Sequence, residues 1–185
     1  MRVTPETVRA EREWVRDRAP VVVPLVNDAR DRLGRLFETD VDSITGETYR
    51  REVDAVFADG EAAVNVAGLV GLLRELDVDD DYPGFVVDEV LGRELAATIA
   101  GGRPLSLLAQ ATFHFVDVHV DGDAHVDGDA PNPGDDRDGE RGVDARDPGP
   151  AGADDLDAAL AAGFQTRLPG WNWREGESPF GVDPD

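Results

Sequence analysis

Apolar residues recur every three or four positions along most of the first 120 residues, a spacing that places them on one face of successive helices. In VVVPLVNDARDRLGRLF, the residues Val22, Leu25, Val26, Ala29, Leu33, Leu36 and Phe37 form one stripe, while Asp28, Arg30, Asp31, Arg32 and Arg35 take the other face. The first stripe is expected to meet a core and the second to meet water. Pro24 is compatible only with a first turn, so this helix is expected to begin near Val22 or Val23. Ahead of it, TPETVRAEREWVRDRA carries the signals of a helix start: Thr4 as N-cap, Pro5 at the first helical position and Glu6 in the first turn. Pro20 is expected to end that segment. Its apolar content is thin (Val8, Trp14, Val15), which predicts a helix on the outside of the fold. Arg9, Arg12 and Arg16 lie at helical spacing and are expected to pair with Glu6, Glu13 and their neighbours.

Further along, Thr45 can cap a helix that carries Tyr49, Val53, Val56 and Phe57, with Asp59-Gly60 closing it through a left-handed glycine. EAAVNVAGLVGLLREL is apolar nearly all round, and a helix without a polar face is buried. It is therefore the expected central helix of a bundle. It is also shorter than the roughly 20 residues that cross a membrane. Gly68 and Gly71 within it each cost about 1 kcal/mol relative to alanine, and the close approach of a neighbouring helix is the simplest compensation. Asn65 is expected to be a satisfied structural amide. FVVDEVLGRELAATIA predicts a fifth helix that buries Val87, Val90, Leu91, Leu95 and Thr98 or Ile99, with Gly101-Gly102 at its end. LSLLAQATFHFVDVHV fits a helix from Leu105 to Phe115 and alternates like a strand from Thr112 onward. Helix is the better reading, because a lone strand has no partner for its backbone hydrogen bonds.

The pattern then stops. From Asp121 to Gly152 the chain is mostly Asp, Gly, Pro, Arg and Ala. Such a stretch buries too little surface to offset an ordering cost of about 1 to 2 kcal/mol per residue. The chain accordingly divides into a helical core (1–120), a disordered acidic linker or loop (121–152), and a short helix with an aromatic tail packing back on the core (153–185). The predicted fold class is all-α, a single bundle of five or six helices around a buried central helix. In the tail, Trp171, Trp173 and Phe180 are the candidate partner-binding residues. They form either a strap folded over the bundle or an anchor for a protein partner or for self-association.

Charge changes the picture next. The 185 residues carry 40 acidic groups against 18 basic ones, a net charge of -22. Every basic residue is arginine, and cysteine is absent. The missing cysteine excludes disulfides, thiolate nucleophiles and thiolate metal sites. The acidic groups are spread along the whole chain and alternate with Val, Ala and Leu. This composition resembles that of haloarchaeal proteins, a resemblance of habitat. In molar salt the Debye length falls to about 3 Å, which screens the self-repulsion of such a surface. In that setting acidity does not specify a basic partner. The start MRVTPETVRAEREW has no apolar leader core, so a cytoplasmic protein is expected, with neither nucleic acid nor membrane as partner. Stability is predicted to fall as salt is removed. Melting followed by circular dichroism tests this, and equal melting temperatures in dilute buffer and molar salt would contradict it.

Candidate chemistry is confined to one stretch. Residues 119 to 130 read HVDGDAHVDGDA, a tandem hexad, and His114, His119 and His125 are the three histidines of the chain. With Asp117 they offer ligands for a zinc-like divalent metal, provided the chain turns back at Asp121-Gly122. The spacing also resembles the start of a calcium loop, but a histidine replaces the carboxylate at the third position and position 12 lacks glutamate. A tandem duplication explains the repeat without any demand from chemistry. His114, between Phe113 and Phe115, is expected to be a packing histidine. DVDDDYPG fails as a calcium loop because Tyr82 stands where glycine is needed. The acid groups Asp79-Asp80-Asp81 and Asp154-Asp155 could hold magnesium, yet a chain this acidic produces such groups by composition. No phosphate-binding loop, dinucleotide fingerprint, nucleophile elbow or zinc-protease motif is present. The expected function is a non-catalytic protein-interaction or adaptor module without a cofactor. The alternative is a metal-binding protein or small metal-dependent enzyme using His114, His119 and His125.

Overall fold

The computed structural model describes residues 1–76, 86–125 and 153–171, with 117–125 and 153–154 as backbone alone. Seven helices run through the described residues: α1 (Pro5–Asp17), α2 (Ala19–Leu36), α3 (Gly46–Ala58), α4 (Gly60–Glu75), α5 (Val87–Ala100), α6 (Leu105–His125) and α7 (Ala153–Arg167). There is no strand among the described residues, and the fold is all-α. No single helix among them is long and apolar enough to cross a membrane.

Side-chain caps set several boundaries. Thr4 Oγ1 accepts the Thr7 backbone N–H, and Thr7 Oγ1 accepts the Thr4 backbone N–H at 2.7 Å, a reciprocal capping box. Thr45 Oγ1 caps α3 through the Thr48 N–H. Arg18 alone separates α1 from α2, serving as C-cap of one and N-cap of the other. Helix α2 therefore starts at Ala19, ahead of the expected Val22 or Val23. Pro20 sits in its first turn, where a missing N–H costs nothing, and it is Pro24 that lies inside the helix. At the other end of α3, Asp59 is extended (φ -81°, ψ 112°), and its carboxylate accepts the N–H groups of Glu61 and Ala62. Gly60 is thus the first residue of α4 rather than a left-handed terminator. The two helices meet at 111°.

The helix at the centre is α7, not α4. Every residue from Leu156 to Thr166 is buried, while α4 leaves Val64 and Leu72 nearly half exposed. Ala158, Ala159, Ala161 and Ala162 make α7 thin, so helices α2, α5 and α6 can close on it from several sides. At Gly163 a Cβ would lie 2.8 Å from Ile99 Cβ and 3.0 Å from the Ala96 carbonyl oxygen, which is where α5 crosses. Gly92 admits the Phe113 ring of α6 in the same way. The glycines expected to serve this purpose do not: Gly71 faces the Met1 side chain, and Gly68 faces open space. Helix α5 buries Gly92, Leu95, Ala96, Ile99 and Ala100, leaving Val87 and Val90 exposed, contrary to expectation. Asn65 is exposed and donates to the Glu61 carbonyl. Helix α6 resolves the ambiguity of residues 112–120 in favour of helix and continues past residue 120 to His125.

Charged residues tie the layers together. Arg18 grips Asp157 of α7 with Nε and Nη2. Tyr49 OH donates to the Val15 carbonyl at 3.1 Å, and its ring meets Phe164 edge-on at 5.1 Å. Burial raises the Tyr49 phenol well above its ordinary pKa. Arg12 and Arg16 both reach Asp54 of α3, so two members of the arginine stripe bridge helices rather than pairing only along α1. Burial alone would raise the Asp54 carboxyl, but the hydrogen bonds from Arg16 and Arg12 outweigh it and hold the pKa below the ordinary value. The guanidinium carbons of Arg18 and Arg74 both lie over the Trp14 ring, at 5.4 and 4.5 Å from its centre.

Candidate functional site

The chain reverses at the end of α2 by a recognisable device. The Glu38 N–H bonds to the Arg35 carbonyl and the Thr39 N–H to the Gly34 carbonyl, the paired bonds of a Schellman motif. The left-handed position is Glu38, with φ 52°, rather than the usual glycine. The turn sends residues 39–43 back along α2. Asn27 then fixes the returning strand of chain, accepting the Ile44 N–H at 2.8 Å and donating to its carbonyl at 3.2 Å. Replacing Glu38 by glycine relieves the left-handed strain and is expected to stabilise the protein by about 1 kcal/mol in urea unfolding.

Between α2 and this returning segment lies a cleft of about 550 Å³. Arg30 is part of its wall, and Arg30 is only 1 % exposed. The periodic reading had placed it on the water face of α2. The returning segment and residues 169–171 cover it instead. Its Nε donates to the Asp42 carbonyl at 3.0 Å, and its Nη2 donates to the Pro169 carbonyl at 2.6 Å. The guanidinium carbon lies 5.4 Å from the centre of the Trp171 ring. Gly170, at φ 97°, makes room for this contact, since a Cβ there would stand 2.9 Å from Nη2. Nη1 is buried and has no hydrogen-bond partner. Burial lowers the Arg30 pKa, against the attraction of Asp42, but a guanidinium starts so high that it keeps its charge.

The lining of the cleft includes four acidic residues, Asp31, Glu38, Asp40 and Asp42, together with Arg35, Thr39 and Ser43. Leu36 and Phe37, between Arg35 and Glu38 in the chain, are 71 % and 50 % exposed. A permanently charged guanidinium does not shuttle protons near neutrality, so Arg30 itself is suited to holding neighbouring groups in place rather than to acid–base chemistry. Sequence periodicity did carry a signal for it: Val22, Val26, Arg30 and Leu33 follow the spacing of a buried stripe, and Arg30 is its one charged member.

The residues singled out from the sequence lie elsewhere. His114 is exposed, which corrects its reading as a packing histidine: Phe113 and Val116 take the core, and His114 falls about 100° round the helix from Phe113. Helix α6 runs through Asp121-Gly122, so the chain does not turn back there. On a continuous helix the backbones of His119 and His125 stand about 9 Å apart along the axis, and His114 and His125 about 16 Å. The metal reading needed that turn. Among the described residues no three His, Asp, Glu or Cys side chains are grouped to hold a metal ion. The side chains of Asp117, His119 and His125, together with Asp79 to Asp81, lie outside what is described. So do Trp173 and Phe180.

Trp171 is fully buried, and its Nε1 donates to the Gln165 carbonyl at 3.1 Å. It is a core residue and presents no face to a partner. The side-chain amide of Gln165 is also buried without a hydrogen-bond partner.

No curated protein and no solved structure matches this chain. The family model described as "Domain of unknown function (DUF7984)" matches residues 1–149 and again residues 138–184, so that both α1 to α6 and α7 with its flanks are covered. The chain belongs to that family.

Proposed function

We propose that the protein is a non-catalytic interaction module of a salt-adapted cytoplasm, and that its partner docks at the Arg30 cleft. The observation that carries this reading is a cleft walled by exposed charged residues, with exposed Leu36 and Phe37 between two of its lining residues, Arg35 and Glu38, in the chain. The exposed charged side chains that line the cleft supply directional recognition and the two apolar side chains supply area, the usual division of labour in a binding patch. The acidic composition supports a habitat in molar salt, where apolar and short-range charged contacts retain their strength while long-range fields are screened. The aromatic tail follows directly on Trp171, which packs on Arg30, so Trp173 and Phe180 follow in the chain from a residue that packs on the cleft wall.

The test is affinity capture in molar salt with three forms: the full chain, a Leu36→Ser/Phe37→Ser variant, and a chain ending at residue 171. A cut at residue 164 would be uninformative, because Phe164, Leu168 and Trp171 belong to the core. The double variant is expected to lose the partner captured by the full chain. Equal capture by that variant would rule out docking through the exposed end of α2 beside the cleft, and equal capture by the shortened chain would exclude the tail.

A further inference from the structure

We infer that the chain's own segment Asn172–Arg174 is the resident occupant of the cleft, with Arg174 set against its acidic lining. This inference rests on the cleft being a docking place, and it names what a partner has to displace. Trp171 is fully buried and is the last described residue. Gly170, just before it, sits against the cleft wall: a Cβ there would stand 2.9 Å from Arg30 Nη2, 3.6 Å from Val41 Cγ1 and 4.0 Å from the Asp42 backbone nitrogen, and all three residues line the cleft. A chain advances at most about 3.6 Å per residue, so the Cα atoms of Trp173 and Arg174 lie within about 7 and 11 Å of that of Trp171. Inward, Trp171 is already packed on Arg30 and bonded to the Gln165 carbonyl. The segment therefore starts at the cleft and has little length in which to leave it.

Charge selects the same three residues. Asp42 stands as the nearby counter-charge of Arg30. The other charged residues of the lining are Asp31, Glu38 and Asp40 against Arg35, all exposed. None of these three acidic side chains forms an ion pair or a hydrogen bond among the described residues. Arg174 is the one basic residue after Trp171, whereas Glu175, Glu177, Asp183 and Asp185 are acidic. A guanidinium within reach of several carboxylates can pair with one of them through two parallel hydrogen bonds. The Trp173 indole adds an N–H that only donates, suited to the same acceptors. From Glu175 onward like charge opposes entry, which ends the docked segment at Arg174. The cleft, at about 550 Å³, falls within the range of sites that enclose a small molecule, about 300 to 1,000 Å³, which is room for an indole and a guanidinium. A tether of two or three residues also gives this segment a high effective concentration at the cleft, which a second copy or a foreign peptide lacks.

Cross-linking in the full-length chain tests this, because the sequence has no cysteine of its own. Glu175→Cys leaves Trp173 and Arg174 in place. It is combined in turn with Asp31→Cys, Glu38→Cys or Asp40→Cys, and with Arg9→Cys on the exposed face of α1 as the control. Asp31, Glu38, Asp40 and Arg9 are all exposed, so the reduced variants are expected to melt like the unaltered protein. A disulfide needs Cα atoms about 4.4 to 6.8 Å apart, so its rate of formation in molar potassium chloride reports encounter at each position. At least one lining position is expected to close a disulfide within the chain about tenfold faster than the control, and adding Arg174→Glu is expected to slow it severalfold. Rates equal to the control, a rate indifferent to Arg174→Glu, or disulfides between two chains in place of within one would each overturn the inference, the last by making a second copy the occupant. No partner takes part in the cross-linking, so the two readings fail separately. Control-rate cross-linking alongside capture that depends on Leu36 and Phe37 takes the tail out of the cleft and leaves the interaction module standing. Fast cross-linking with capture indifferent to Leu36 and Phe37 does the reverse.

Discussion

Replacing Trp171 by alanine is expected to destabilise the protein by about 4 kcal/mol, within the range for large aromatic residues removed from a packed interior. Three losses combine. The indole is fully buried, so its removal leaves a cavity. The Gln165 carbonyl loses the Nε1 donor that reaches it at 3.1 Å. Arg30 loses the aromatic face 5.4 Å from its guanidinium carbon, in a place where water does not replace it. Urea unfolding in molar salt measures the effect, which for a protein of this size corresponds to a fall in melting temperature of about 10 °C. Trp171→Phe keeps most of the volume and loses the donor, so it should fall between the two. A change below 1 kcal/mol in the alanine variant would mean that residues 169–171 do not close over Arg30, and the wall of the cleft would have to be redrawn.

That outcome bears on what was legible beforehand. The helix starts at Thr4-Pro5 and Thr45 were readable because capping is local chemistry, settled by residues within one turn. The all-α class followed from periodicity for the same reason. The centre of the bundle was misread because α4 has the larger aliphatic side chains, whereas α7 is built from alanine and reads as a minor helix. Burial depends on what surrounds a helix. A thin alanine-rich surface lets neighbours approach closely, and Gly163 against Ile99 shows how close they come. Arg30 was hidden for a related reason: its cover comes from residues 39–43 and 169–171, and the second of these lies far away in sequence. The histidines drew attention through their residue type. The course of α6 was what mattered, and a helix through Asp121-Gly122 runs against the low helix propensity of Asp and Gly.

Breaking the Arg18–Asp157 pair should be the second most damaging change, about 3 kcal/mol for Asp157→Asn. Asp157 is the one acidic residue in the buried run of α7, with 6 % of its surface exposed, and both of its carboxylate oxygens face the Arg18 fork. An amide keeps the shape but offers one oxygen in place of two and turns an N–H toward the guanidinium. The cost arises chiefly from the charge left behind on Arg18, whose side chain is about two-thirds buried. That explanation can be separated from a simple loss of attraction. If an uncompensated charge is the cause, the double variant Arg18→Met/Asp157→Leu should recover most of the loss, since an apolar pair of similar volume demands no counter-charge. If the double variant is as unstable as Asp157→Asn, the pair contributes through attraction and geometry at the junction of α1 and α2. Salt gives a second discrimination, because a desolvated pair responds weakly to ionic strength while the exposed carboxylates respond strongly. The difference in stability between wild type and Asp157→Asn is therefore expected to stay nearly constant from dilute to molar salt, even as both proteins become more stable.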